Sequence, residues 1–73
     1  MLKSAVRSFL KRHGYGFRLM REEAKLTQLE VARRMGCSQA IISHIEQGFF
    51  LPSESFEEEL NNLYSSLIFR RNK

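Results

Sequence analysis

Internal disulfides are closed to this sequence, because its 73 residues hold one cysteine, Cys37. A lone thiol suits a reducing compartment, so the cytosol is expected. No apolar run approaches the ~20 residues needed to cross a bilayer. The opening MLKSAVRSFLKRH lacks the uninterrupted apolar core of a secretory signal. A membrane partner is therefore not expected. Repeats and low-complexity stretches are missing, and nothing alternates with period two for long, so strands are not expected either.

Chemistry-bearing constellations are equally scarce. His13 and His44 stand in no metal-ligand spacing such as HExxH or CxxC. Gly14 and Gly16 follow no strand signal, which removes a phosphate loop. On one helix, Cys37 and His44 would lie ~10 Å apart at a ~1.5 Å rise per residue. That is too far for a thiolate–imidazole pair, and no third group is in sequence reach. No metal, cofactor, small-molecule substrate or enzymatic activity is expected.

Basic residues are missing from one third of the chain. Residues 46–69 hold five Glu and neither Lys nor Arg, whereas residues 1–45 hold nine Lys/Arg against three Glu. Arg70, Arg71 and Lys73 restore positive charge at the end, for a net +4. A basic first part is what a polyanion binder needs, although a solvated helical surface gives the same count.

What is present is helical spacing throughout a chain long enough for one domain with a thin stability margin. Leu2, Ala5, Val6, Phe9 and Leu10 make one apolar stripe, with Lys3, Arg7, Lys11 and Arg12 off it. Gly14-Tyr15-Gly16 predicts a break or kink, because two close glycines weaken a helix. A helix from about Tyr15 to Lys25 follows, with Phe17, Met20, Arg21 and Ala24 on one face. Thr27 and Glu30 form a capping box for a helix over 28–35. Gly36 suits a left-handed helix end. Ser38 caps a helix over 39–47 that buries Ile42 and Ile45, and Gly48 closes it. Phe49-Phe50-Leu51-Pro52 reads as a turn. Ser53 or Ser55 caps the last helix, and the acids after Ser55 favour the later start. Its stripe is Phe56, Leu60, Leu63, Leu67 and Ile68.

Two short helices joined at Gly36, with small Ala32 at their crossing, form a helix-turn-helix arrangement. Its second helix can project N-terminal residues into a major groove. Residues 17–52 resemble the phage repressor and Cro-type (XRE-like) helix-turn-helix DNA-binding family. The resemblance is carried by Arg21, Leu26-Thr27-Gln28, Val31-Ala32, Gly36, Ile42-Ser43, Ile45-Glu46, Gly48 and Pro52. It implies an all-α, compact bundle of about five helices over 14–73, with residues 1–13 as an extra basic amphipathic helix or arm. It also implies a cytoplasmic, bacterial or phage-encoded transcriptional regulator, most often a repressor, acting as a homodimer on a near-palindromic operator in double-stranded DNA.

The residue roles follow from the same resemblance. Ser38, Gln39, Ala40, Ser43 and His44 are the candidate base readers, against the alternative of an ordinary exposed helix face. Gln pairs with adenine N6/N7, and an Ala methyl meets a thymine methyl. Thr27, Gln28, Gln47, Arg18, Arg33 and Arg34 are candidates for the DNA backbone. Gln28 is also expected to brace the glutamine of the next helix, and a helix C-cap role is the equal alternative for Gln47. Arg21 and Glu46 match a partly buried structural salt bridge. Leu60, Leu63, Tyr64, Leu67 and Ile68 are candidates for the dimer surface, with the Leu2–Leu10 stripe behind them. One departure stands out. The family commonly has basic residues between the glycine and the proline, where this chain has Phe49, Phe50 and Leu51. The basic residues Lys3, Arg7, Lys11 and Arg12 are the candidates to supply that charge. The three apolar residues are either a partner surface, as in an antitoxin-like interaction module, or tuck under the last helix.

Overall fold

The computed structural model describes residues 2–71; positions 1, 72 and 73 of the expected segments lie outside it. Four helices follow in order: α1 (Leu2–Glu23), α2 (Gln28–Met35), α3 (Gln39–Gln47) and α4 (Glu54–Arg71). The class is all-α, with four helices among the described residues where five are expected.

The missing break is at Gly14-Tyr15-Gly16, through which α1 runs unbroken. Gly14 is buried against the end of α3. A Cβ built there would lie 2.5 Å from the Glu46 carbonyl oxygen and closer still to that of Ile45. Gly14 is therefore a docking notch for another helix. Packing at that notch outweighs the ~1 kcal/mol intrinsic penalty of a helical glycine. Gly16 meets nothing within 4 Å and contributes no such contact.

Three helix ends share one pattern of backbone bonds. The Leu26 N–H donates to the Arg21 carbonyl and Lys25 N–H to Glu22; Cys37 donates to Ala32 and Gly36 to Arg33; Phe49 donates to His44 and Gly48 to Ile45. Each is a Schellman closure around a left-handed residue. Gly36 (φ 69°) and Gly48 (φ 80°) fill that place as the sequence predicts, but Lys25 fills it after α1 with φ 62°. The capping box of α2 forms, Thr27 Oγ1 accepting from the Glu30 N–H at 3.1 Å and Glu30 Oε1 from the Thr27 N–H at 2.8 Å. At α4 the cap is Ser53, whose hydroxyl accepts from the Phe56 N–H at 3.3 Å, so the helix starts two residues before the Ser55 box predicts.

The core is Phe17, Ala24, Leu26, Val31, Ala32, Ile42, Ile45, Leu60 and Tyr64. Ala32 is 1% exposed, where α2 and α3 cross. Leu60 and Tyr64 are each 1% exposed within this chain, and Leu63, Leu67 and Ile68 pack half-buried against the same cluster. Leu60 and Tyr64 thus have no surface to offer a second copy, which corrects their expected place in a dimer contact. An apolar stripe alone does not distinguish packing on the same chain from packing on another. Burial also pushes the Tyr64 phenol above its ordinary pKa.

Candidate nucleic-acid interface

Helix α3 is held from behind by Ile42 and Ile45, which are 2% and 3% exposed. Its opposite face carries Gln39, Ala40, His44 and Gln47, all exposed, and Ser43, half-buried. Ser38 starts the helix, its hydroxyl accepting from the Ile41 N–H at 3.4 Å. The three-residue corner Gly36-Cys37-Ser38 lets α3 leave α2 with this polar face outward. Cys37 packs against the core at the corner, and burial pushes its thiol pKa up.

The aim of that face is set by a chain of polar contacts that begins in the interior. Arg21 on α1 grips Glu46 on α3 with both arms of its guanidinium, Nε to Oε2 at 2.7 Å and NH2 to Oε1 at 3.1 Å. The side chains are 12% and 4% exposed. The remaining arm donates to the Leu26 carbonyl at 2.8 Å, tying the pair to the turn before α2. This hydrogen bonding from Glu46, ahead of the opposing effect of burial, raises the Arg21 pKa above its already high ordinary value. Gln28, the first residue of α2, donates its amide to Glu46 Oε1 at 3.0 Å. Its amide oxygen faces Gln39 Nε2 at 3.5 Å. Buried charge, second glutamine and exposed glutamine thus form one series across three helices.

A shallow concavity gathers Arg18, Arg21, Gln28, Ser43, Glu46 and Gln47. Arg18 also pairs with Glu22 at 3.2 Å across one exposed helical turn. Gln47 donates to the Ser43 hydroxyl at 2.7 Å. Of the expected backbone-contacting residues, Arg18, Gln28 and Gln47 are therefore together, and Thr27 adjoins them as the α2 cap. Arg33 and Arg34 stand apart on the last turn of α2, exposed and beside the Gly36 corner. His44 packs its ring against Phe49, with ring centroids 5.1 Å apart and planes inclined by 41°.

The apolar loop after α3 stays largely at the surface. Phe50 borders a small cleft with Ile41, Ile45, Pro52 and Phe56 but is still 39% exposed, and Phe49 and Leu51 are 61% and 44% exposed. Among the described residues, no group of three or more His, Cys, Asp or Glu side chains is placed to hold a metal, and no helix is long and apolar enough to cross a membrane.

Two contributors escape a reading of sequence pattern. Gly14 seats the C-terminal end of α3 on α1, and the Lys11 backbone passes so close to Gly48 that a Cβ on that glycine would lie 2.7 Å from the Lys11 backbone nitrogen. The signal was available as the recurrence of Arg7, Lys11, Gly14, Arg18 and Arg21 at four- and three-residue steps, one face of a helix.

A family model described as a helix-turn-helix domain matches residues 14–65. No curated protein and no solved structure gives a significant match.

Proposed function

The chain belongs to the helix-turn-helix domain family, and from that membership we propose that it binds double-stranded DNA in a sequence-specific manner as a transcriptional regulator of the phage repressor and Cro type. The observation that carries the reading is Gln39, exposed at the start of α3 and backed by Gln28, which is itself anchored on the buried Arg21–Glu46 pair. An amide held there can pair with adenine N6/N7, with the Ala40 methyl beside it for a thymine. Ser38, Ser43 and His44 complete the proposed reading face. The Gln28 and Leu29 N–H groups at the start of α2 lack intrahelical acceptors and suit a phosphate, the Glu30 N–H being taken by the Thr27 hydroxyl. Gln47, Arg18, Thr27, Arg33 and Arg34 are the remaining proposed backbone contacts. The role is binding rather than catalysis, in the bacterial or phage-infected cytoplasm where such DNA resides.

Action as a homodimer, and repression by occupying a near-palindromic operator, belong to the same proposal. One reading helix of nine residues spans few base pairs, and a two-fold pair would place two such helices about one DNA turn apart. A second reading, an antitoxin-like protein-interaction module, is favoured by the exposure of Phe49 and Leu51 next to the acidic start of α4.

Selection of duplexes from a random pool, followed by gel shifts at low and moderate salt, tests the proposal. A recovered site and a steep loss of affinity with salt are expected. Gln39→Ala should weaken binding by ~1–3 kcal/mol and relax the preference at one base pair. Failure to retard any duplex even at low salt would overturn the DNA reading and leave the interaction module.

A further inference from the structure

We infer that the N-terminal half of α1, ahead of the family-matched segment, is a phosphate clamp in which Arg7 and Lys11 replace the cations missing from the loop after α3. The inference rests on the DNA-binding reading and names the residues that complete its backbone contact. The family match starts at residue 14, so Arg7 and Lys11 lie outside it. The segment between Gly48 and Pro52 is Phe49-Phe50-Leu51 and brings no positive charge.

Three observations converge on this stretch. First, Arg7 and Lys11 share one face of α1 with Gly14 and Arg18, by the four- and three-residue steps of the helix. Gly14 on that face is where the end of α3 docks, which fixes the face toward the reading helix. Second, the contact continues one turn earlier, where Lys11 backbone meets Gly48 closely enough to exclude a Cβ. Third, Gln47 borders two concavities: one with Arg18, Gln28 and Ser43, the other with Arg7, Lys11 and Phe49. Arg18, Gln28 and Ser43 on one side and Lys11 and Arg7 on the other therefore flank Gln47 at the C-terminal end of α3, the second concavity being floored mainly by Val6, Leu10 and Phe49. Among the described residues, Arg21 and Arg18 are paired with carboxylates, while Arg7 and Lys11 are exposed and make no salt bridge. A polyanion laid along α3 meets these two charges first beyond Gln47. Arg7 and Lys11 line that concavity together with Val6, Leu10 and Phe49, and long basic side chains lay their aliphatic stems on apolar surface while keeping the charged heads in water.

Arg12, expected from the sequence to share this role, is placed elsewhere by the fold and is the internal control. It carries the same charge one position after Lys11 but faces a separate cleft with His13, Phe17, Glu57 and Asn61, toward α4. The test uses the full chain, a duplex selected by the wild type from a random pool, and a scrambled duplex, titrated by fluorescence anisotropy over a salt series. Glutamine replaces each cation, because it is a good helix former and keeps part of the stem. Arg7→Gln with Lys11→Gln should lower the slope of log affinity against log salt by about 2, close to one counterion per phosphate contact. Both duplexes should weaken by the same factor, with site preference and melting temperature unchanged. Lys11→Gln alone should remove about half of that slope change, and Arg12→Gln should leave the slope at the wild-type value. An unchanged slope in the double variant, or an equal loss in Arg12→Gln, overturns the clamp while the DNA reading stands. A wild type that binds neither duplex at low salt overturns both.

Discussion

Glu46→Ala should bring the domain to the edge of unfolding. The Arg21–Glu46 pair is doubly hydrogen-bonded, and its carboxylate is 4% exposed. Removal of the carboxylate leaves a guanidinium at 12% exposure with the Leu26 carbonyl as its remaining protein acceptor among the described residues. It also strips the Gln28 amide N–H of its acceptor. Breaking a buried pair from one side costs ~3–5 kcal/mol, most of it the uncompensated charge. A domain of 73 residues has roughly 4–11 kcal/mol in total, at ~0.05–0.15 kcal/mol per residue. Urea denaturation followed by far-ultraviolet circular dichroism should therefore show a midpoint near zero denaturant, or a melting temperature at least ~12 °C lower.

The same reasoning makes a second demand. The double replacement Arg21→Met with Glu46→Leu removes both charges and refills the volume, so it should be more stable than Glu46→Ala by ~2 kcal/mol or more. Such a variant would fold and yet lose the support behind Gln28, so it should bind DNA with reduced site preference. A Glu46→Ala loss below ~1 kcal/mol, typical of an exposed pair, would refute the buried-pair argument. So would a double variant whose loss equals the sum of its single changes.

Three other outcomes are expected. Gly14→Ala should destabilise by ~1–3 kcal/mol, because its Cβ meets the α3 carbonyls, while Gly16→Ala, in open space, should stabilise by ~0.5–1 kcal/mol; thermal melts with the same sign for both would contradict the docking notch. Lys25→Gly should stabilise by up to ~1 kcal/mol, since relief of a left-handed lysine exceeds the added chain entropy; a lower melting temperature would contradict this. The Thr27 N–H holds the Glu30 carboxyl below its ordinary pKa of 4.5, so the stability it lends is complete above that pH and fades as the pH falls through the lower folded-state value. The stability gap between wild type and Glu30→Ala should then be constant at neutral pH and narrow in acid; a gap that widens in acid would refute the assignment.

The turn and its flanking caps were legible because they are local. Thr27 with Glu30, Ser38, Gly36 and Gly48 each answer a backbone requirement within one helical turn, and each forms as the residue type predicts. What sequence pattern misplaced depends on contacts across the chain. Gly14 has the same identity as Gly16, but one seats a helix and the other faces open space. Lys25 has no intrinsic preference for the left-handed region; the turn from α1 to buried Leu26 imposes it. Ser53 and Ser55 are both competent caps, and the first is selected where the chain leaves Pro52. Arg21 and Glu46, 25 residues apart, are joined by resemblance to a family rather than by any periodicity.

The geometry of the two glutamines also bears on whether bracing and recognition are compatible. A carboxamide has two N–H donors and one oxygen with two lone pairs. Gln28 uses one N–H on Glu46 and one lone pair toward Gln39, which leaves an N–H for a phosphate. Gln39 uses one N–H toward Gln28, which leaves one N–H for adenine N7 and its oxygen for the adenine amino group. The brace therefore consumes none of the groups that a bidentate base contact requires. At 3.5 Å the Gln28–Gln39 contact is at the weak limit of a hydrogen bond. It restricts the rotamers of Gln39 more than it stabilises the fold, and the firm 3.0 Å contact behind it fixes where that restriction is applied. Positional control of Gln39, the proposed base reader, thus comes from the buried pair, through Gln28, rather than from the exposed contact itself.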